Sequence, residues 1–469
     1  MMIRRALAVF MLTYIACGQS ATFDQASRSY KQKNYAQAYE QFLELAGLGN
    51  RDAQMNIGIM HFHGQGTEKD VVEAYAWMSV ASNKNDKAKI ATRDATKKLL
   101  NAKQIEQAKL RIKALKEIYS PKAINERILP GSKKSGDGEY REPRIIKNYH
   151  PKINSRRHTL ARPLAHKFGS VRVDFVIGKD GITRMHTISA YEYMENALSA
   201  VEGIKGRVYE PAMYRGVPVD AYGETFRVLF TGDTHKANVP AALGALDDLR
   251  DKAEKGGGAA RYRYAITADL MRTTLDDEGA REALSDYGYW YRMSAIDGYP
   301  AAKFKMGLNQ LRGTGCAVNH SKSLFWLESA AKDGYANAQL FLGMEYLSGV
   351  RYNKNEKLAL MWMKAAADAG LDHAQVKLAW ILATHSDPKI RNIKSANEYF
   401  NKVNPKSYLD KLSWHETNAV IAAAMGDFKR AVKMQKKAIR EAKKYELPLI
   451  RLENNLDKYK NTLVLGYND

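Results

Sequence analysis

The sequence predicts a mainly α-helical chain in which helical-hairpin repeat solenoids flank a small α+β domain. Three observations carry this expectation. Large and small residues recur thirty-six residues apart in the second half, at Trp290, Trp326 and Trp362, at Gly298, Gly334 and Gly370, and at Ala302, Ala338 and Ala374. A related pattern lies near the N-terminus, around Trp77. Between them the period changes to two, at Val171, Val173, Phe175 and Ile177, and the run ends in Lys179-Asp180-Gly181. A fixed period of this length marks stacked supersecondary units, whereas alternation ending in Asp-Gly marks a half-buried strand and a hairpin turn.

With 469 residues, 45% of them hydrophobic, the chain is long enough for two or three domains, each with its own core. Lys and Arg number 73 against 51 acids, a formal charge of +22, so long-range attraction is toward anionic surfaces. Residues 1–21 read as a secretory signal peptide: Arg4 and Arg5, an apolar run from Ala6 to Ile15, then small residues at Ala16, Gly18, Ser20 and Ala21. That run is too short to cross a bilayer, which takes about 20 residues. Ile15-Ala16-Cys17 opens a second reading, lipid anchoring through Cys17, although Tyr14 stands where a lipoprotein box usually has leucine. Either way the expected compartment is the periplasm, where a chain left with the single thiol of Cys316 has no internal disulfide and depends on packing.

The remaining chain divides by pattern. Residues 22–119 form an N-terminal helical repeat region, with a helix from Tyr35 to Leu48 and closing helices between Asp86 and Tyr119. Residues 120–160 read as an exposed basic linker, punctuated by Ser120-Pro121 and by Pro130-Gly131-Ser132. The α+β domain follows at 161–233: strand, turn and strand around Asp180-Gly181, a helix from Met194 to Ile204, and strands again from Val217 to Phe230. A helical connector spans 234–280, with Gly256-Gly257-Gly258 as a helix-breaking turn. The main repeat array occupies 281–385. Residues 386–469 close the chain with one hairpin, Trp414 to Ala424 and Ala431 to Lys443, and a capping helix from Pro448 to Tyr459. In each repeat the small residues, such as Gly307, allow helices to approach closely while the tryptophan fills the space between hairpins.

These repeat residues resemble the Sel-one-like repeat, a relative of the tetratricopeptide repeat. Ala338, Leu342, Gly343, Tyr346, Gly349, Trp362, Ala365, Ala366 and Gly370 carry its pattern, and Ala53, Ile57, Gly58, Gly64, Gly66, Ala74, Trp77 and Ala81 form the N-terminal copy. The resemblance implies stacked hairpins with binding surfaces for other proteins. The stretch from Ala161 to Thr231 is similar to the carboxy-terminal domain of TonB proteins, through Gly169, Val171, Asp180, Gly181, Ala197, Ala200, Val201, Tyr209, Pro211, Ala212, Gly216 and Pro218. It departs from that family at His158-Thr159, in place of tyrosine-proline, and at Gly203 to Gly206, in place of a tryptophan-bearing turn. This second resemblance implies a small sheet whose edge accepts an extended segment of a partner. The expected edge is Gly223 to Phe230, with Phe226, Val228 and Phe230 inward and Thr225, Arg227 and Leu229 outward. A bland alternative has this edge covered by the flanking linkers.

No catalytic motif is complete. His415-Glu416 opens like a zinc-protease helix, but Ala419 replaces its second histidine. His61 and His63 flank a repeat turn, where packing or surface roles are the ordinary reading. Gly256-Gly257-Gly258 has no lysine and hydroxyl residue to complete a phosphate loop. Cys316 occupies a small apolar repeat position, as a structural thiol would. The expectation is therefore a non-enzymatic periplasmic scaffold without cofactor or metal, with envelope proteins as partners. An alternative is a TonB-type accessory that engages outer-membrane transporters. An anionic envelope surface is a further candidate partner, nucleic acid is not expected, and the oligomeric state is open.

Overall fold

The computed structural model describes residues 22–83, 85–129, 140–149, 169–191, 194–230, 239–274, 278–314 and 316–466. The signal peptide read over 1–21, Cys17 included, and most of the basic stretch at 130–168 lie outside the described residues. The described chain forms two compact units, each assembled from separate stretches. One takes residues from 22–129, 243–273 and 278–335; the other takes them from 140–230, 239–242, 274 and 336–466.

The first unit is helical, and its hairpins share one local design. The hairpin Arg51–His63 and Val71–Ala81 begins at Asn50, whose side chain accepts from the Ala53 amide, and restarts at Asp70, which accepts from the amides of Val72 and Glu73. Gly64 ends the first helix at φ 70°, where a side chain would be strained. Pro300–Arg312 and His320–Lys332 repeat the scheme, with Gly313 at φ 74° and Asn319 as the second cap. Between the two helices a Cβ on Gly58 would stand 2.8 Å from Met78 Cγ, and one on Gly307 2.6 Å from Leu327 Cγ. Helix contact thus requires glycine at these two sites. The core collects Phe42, Leu45, Ile57, Met60, Trp77, Met306 and Trp326, and with them Ile124 and Ile128.

Those two isoleucines correct one expectation. Residues 121–129, read as the start of an exposed linker, form a helix over Pro121–Arg127, capped by Ser120 and packed into the core. Residues 140–147 of the same stretch form strands β1 (Tyr140–Arg141) and β2 (Arg144–Lys147). Proline and serine there mark a helix start, because Pro at the first helical position loses no hydrogen bond.

In the second unit, β3 (Gly169–Ile177) and β4 (Thr183–Tyr191) form a hairpin, followed by the helix Met194–Lys205. Short strands β5 (Val208–Glu210), β6 (Ala212–Tyr214) and β7 (Val217–Val219) lead to β8 (Ala221–Phe230). The main sheet is antiparallel in the order β4-β3-β8; β1-β6-β7 and β2-β5 form two lesser sheets. The helix supplies Ala197, Ala200, Val201 and Ile204 to a core shared with Val171, Val173, Ile177, Tyr209 and Ala212. The hairpin turns through Lys179, Asp180 and Gly181; the Gly181 amide donates to the Gly178 carbonyl at 2.8 Å, and Gly181 has φ 77°. Strand β3 is not half-buried as its alternation suggests. Arg172 is 7% and Val176 9% exposed, because both faces are covered, and Arg172 is accommodated by an ion pair with Asp174 at 2.9 Å.

The unit continues with the helices Ala336–Ser348, Glu356–Asp368, Asp372–Thr384, Ile393–Lys402, Lys411–Ala424, Phe428–Lys444 and Ile450–Lys460. The first two repeat the hairpin design: Asn355 caps the second helix, and a Cβ on Gly343 would stand 2.5 Å from Met363 Cγ.

Candidate protein-binding surfaces

Strand β8 pairs with β3 on one flank, and among the described residues no strand pairs with its other flank. Its Cα register sets Gly169 opposite Phe230, Arg172 opposite Arg227 and Asp174 opposite Thr225. Thr225 does not simply face solvent: its hydroxyl donates to Asp174 Oδ1 at 3.0 Å. Phe226 is partly buried against the core and lies under the Arg207 guanidinium, 4.2 Å from its ring centre. The side chains of Arg227, Val228, Leu229 and Phe230 lie outside the described set, although their backbone is placed.

The opposite strand of the sheet is fastened down. On β4, the Thr187 hydroxyl lies 3.1 Å from His373 Nε2, and His373 Nδ1 lies 3.0 Å from the Tyr408 hydroxyl. The Met185 amide donates to Asp410 Oδ2 at 3.2 Å, and His186 Nε2 lies 3.0 Å from Thr183 Oγ1. Burial pushes both imidazoles down to about 4, so they are neutral over the ordinary pH range. At the start of β8, Tyr222 meets Phe341 edge-on at 4.8 Å, and Arg351 donates to the Asp220 carbonyl at 2.9 Å while paired with buried Glu345. Burial raises the Glu345 carboxyl to about 7 against the opposing charge of Arg351. The sheet is thus held through β4 and the beginning of β8, which leaves Gly223 to Phe230 as its open flank among the described strands.

The remaining signature residues of this region are turn and strand positions. Asp180 forms a bidentate ion pair with Arg184 at 2.5 and 2.6 Å; burial would raise its carboxyl, but Arg184 holds it below its ordinary value. Pro211 separates β5 from β6, and Gly216 turns β6 into β7 at φ 80°.

The repeat tryptophans differ in what their indole N–H meets. Trp290 donates to Asp286 Oδ2 at 2.9 Å, and Trp326 to the Ile128 carbonyl at 2.7 Å. Gln310 donates to that same carbonyl at 2.9 Å, and the Lys322 ammonium donates to the carbonyls of Asn125 and Leu129. Segment 124–129 is therefore gripped through its backbone by one repeat. Trp362 is 8% exposed, and its Nε1 is buried with no acceptor among the described residues. Trp77 packs on Tyr119 at 4.6 Å. Gly334 and Gly370 have open space around them but adopt φ 81° and 86°, so their requirement is backbone conformation.

His61 and the thiol occupy packed positions, while His63 is exposed at the end of its helix. His61 Nε2 lies 3.1 Å from the Tyr39 hydroxyl, Glu416 is clamped by Arg451 at 2.6 and 3.1 Å, and Cys316 is buried with its sulfur 3.6 Å from the Asn309 carbonyl. Among the described residues no group of three or more His, Cys, Asp or Glu is arranged to hold a metal, and no helix is long and apolar enough to cross a membrane.

Sequence reasoning missed the backbone grip on Ile128 and the His186, His373, Tyr408 and Asp410 network. Both join residues far apart in sequence, and neither carries a local motif.

The chain matches the Sel1 repeat family over residues 51–86, 300–335 and 336–371. It is similar, at 20% identity and a TM-score of 0.32, to a Sel1 repeat protein from Oxalobacter formigenes, with 44% of this chain and 85% of that one covered. It is also similar, at 15% identity and a TM-score of 0.34, to c5321 of uropathogenic Escherichia coli, a protective antigen displaying an SLR fold, with 92% and 76% covered. No curated protein matches the sequence. Sel1 repeats generally mediate protein–protein interaction and are not catalytic. The chain is a mainly helical protein that carries three Sel1 repeats, one near its N-terminus and two in tandem in its second half.

Proposed function

We propose that this protein is a non-catalytic periplasmic scaffold that joins envelope proteins through its Sel1 repeat surfaces and through strand addition at β8. The observation that carries the reading is the flank of β8 that no strand pairs with among the described residues, in a sheet whose β4 side is fastened to neighbouring helices. An added strand gains affinity mainly from main-chain hydrogen bonds and little from any one side chain. The order strand, turn, strand, helix, strand, with the helix packed on the sheet, supports the finer reading of a TonB carboxy-terminal-like region. On that reading, the partners to test first are outer-membrane transporters. The periplasmic assignment rests on the composition of residues 1–21 and predicts a mature form lacking Met1 and Met2 by mass spectrometry, whereas a diacyl adduct on Cys17 would establish anchoring instead.

The test of strand addition is partner capture by purified full chain carrying Arg227→Pro or Arg227→Ala, after each is confirmed folded. Proline removes one donor and distorts the strand, whereas alanine removes only charge. Loss of capture in Arg227→Pro with near-normal capture in Arg227→Ala supports the reading. Full capture by folded Arg227→Pro overturns it.

A further inference from the structure

The helix Phe428–Lys444 carries eight basic residues and one acid in seventeen positions. One side of it is committed to the fold: Ala431, Gln435, Ala438, Ile439 and Ala442 are buried, and Gln435 donates to the Leu452 carbonyl at 2.9 Å. The other side is an unbroken row of exposed cations, Lys429, Lys433, Lys436, Arg440 and Lys443. Their spacing alternates four and three residues, so at 100° per residue they fall within an arc of about 80°, along about 21 Å of helix.

None of the five makes an ion pair among the described residues. Their neighbours do: Lys444 binds Glu202 at 2.8 Å and Arg451 binds Glu416. The helix's one acid, Glu441, is half-buried and lies off the row. Lys429 sits in the first turn, where a cation opposes the helix dipole; the acid at this end is the N-cap Asp427, whose side chain accepts from the Arg430 amide. One residue of the row, Arg440, also acts on the adjoining helix. Burial first, and then the charges of Lys437, Lys411 and Arg440, push the His415 imidazole down to about 4. An uncompensated row of this kind costs self-repulsion, which an anionic partner would relieve.

We propose that the row Lys429, Lys433, Lys436, Arg440 and Lys443 docks an acidic helical segment of a partner protein. Spacing selects this occupant. Carboxylates at alternating three- and four-residue steps of a helix recur about every 5 Å along its axis, the same interval as the row, so the pairs stay in register over its whole length. An extended acidic chain presents same-side residues about 6.7 Å apart and falls out of register within a few steps. A membrane surface is disfavoured because an interfacial helix buries an apolar face in lipid, and the apolar face here is already buried in the protein. Charge pairs across two helices set partner choice and orientation more than affinity.

The test uses full-length protein and three probes. The first is a fluorescent helical peptide with glutamates on one face at alternating three- and four-residue spacing. The second has the same composition with its glutamates spread around the helix. The third is a set of vesicles containing phosphatidylglycerol. The expected result is salt-sensitive binding of the first peptide, about tenfold weaker binding of the second, and about tenfold loss for the first when Lys433→Gln, Lys436→Gln and Arg440→Gln are combined. The triple variant changes only exposed side chains and should retain its circular dichroism and melt. Arg227→Pro should leave the first peptide's binding unchanged, which separates this surface from the β8 edge. Equal binding of the two peptides, or undiminished binding by the triple variant, overturns the proposal. So does capture by the vesicles, lost in the triple variant, without peptide binding; that outcome assigns the row to a lipid surface.

Discussion

The indole Nε1 of Trp326 donates to the main-chain carbonyl of Ile128, 198 residues earlier in the chain, at 2.7 Å. A residue that marks the repeat period is thus also a clamp on a distant segment. Trp362, one period later, has the same packing role and no such bond among the described residues.

This contrast predicts different responses to the same substitution. Trp326→Phe keeps much of the ring but removes the donor to a buried carbonyl, and should cost about 1 to 3 kcal/mol. Trp362→Phe removes an unsatisfied buried donor and should cost less than about 1 kcal/mol. Trp362→Ala, which leaves a cavity, should cost about 3 to 5 kcal/mol. Urea denaturation of the three variants measures this ranking, and a Trp362→Phe loss as large as that of Trp326→Phe would contradict it.

Two glycines with different requirements offer a second test. Gly343→Ala places a methyl group 2.5 Å from Met363 Cγ and 3.0 Å from the Ala359 carbonyl, and should cost about 1 to 3 kcal/mol through overpacking. Gly370→Ala meets nothing within 4 Å but must hold φ near 86°, a strain of about 1 to 2 kcal/mol. Replacing Gly370 by Asn, which tolerates the left-handed region, should recover part of that loss, while Gly343→Asn should be worse than Gly343→Ala.

Lys303 is fully buried, with its ammonium 2.5 Å from Asp333 and 3.4 Å from Glu44. Asp333→Asn leaves that charge without its closer partner and should destabilise by about 3 to 5 kcal/mol. Adding Lys303→Met removes the stranded charge and should restore much of the loss, because an apolar chain of similar volume suits the same space. A double variant no more stable than Asp333→Asn alone, by thermal melt, would refute the account.

Acid should loosen the β4 attachment. His373 is neutral in the fold, pushed down to about 4 by burial, but takes a proton near 6.5 when unfolded. Between these values the unfolded chain binds a proton that the folded chain refuses, so this histidine's contribution to stability is retained above about 6.5 and declines as pH falls toward 4. His373→Gln should be less stable than the parent at pH 7, since it disturbs the bonds to Thr187 and Tyr408, and the gap should narrow at pH 5. Chemical denaturation at the two pH values measures it; a gap that widens toward pH 5 would overturn the assignment.

Much of this architecture is written in local sequence. The thirty-six-residue recurrence of tryptophan, glycine and alanine by itself determined the hairpins, since a helix-breaking glycine, an Asn or Asp cap and a close-contact glycine act within a few residues of where they stand. The Asp180-Gly181 turn and the alternating run before it likewise determined the β3–β4 hairpin, because a tight turn needs little beyond its own backbone freedom. Tertiary structure alone decided the rest. Ser120-Pro121 reads equally as a break or as a helix start, and only the burial of Ile124 and Ile128 among the residues around Trp326 decides between them. The alternation in β3 reads as one wet face, yet both are covered, since what lies over a sheet is supplied by chain far away in sequence. The same holds for the β8 flank: alternation marks a strand, but which of its edges stays unpaired depends on strand order, and strand order is set by long-range pairing and by the anchoring of β4 through His373 and Asp410.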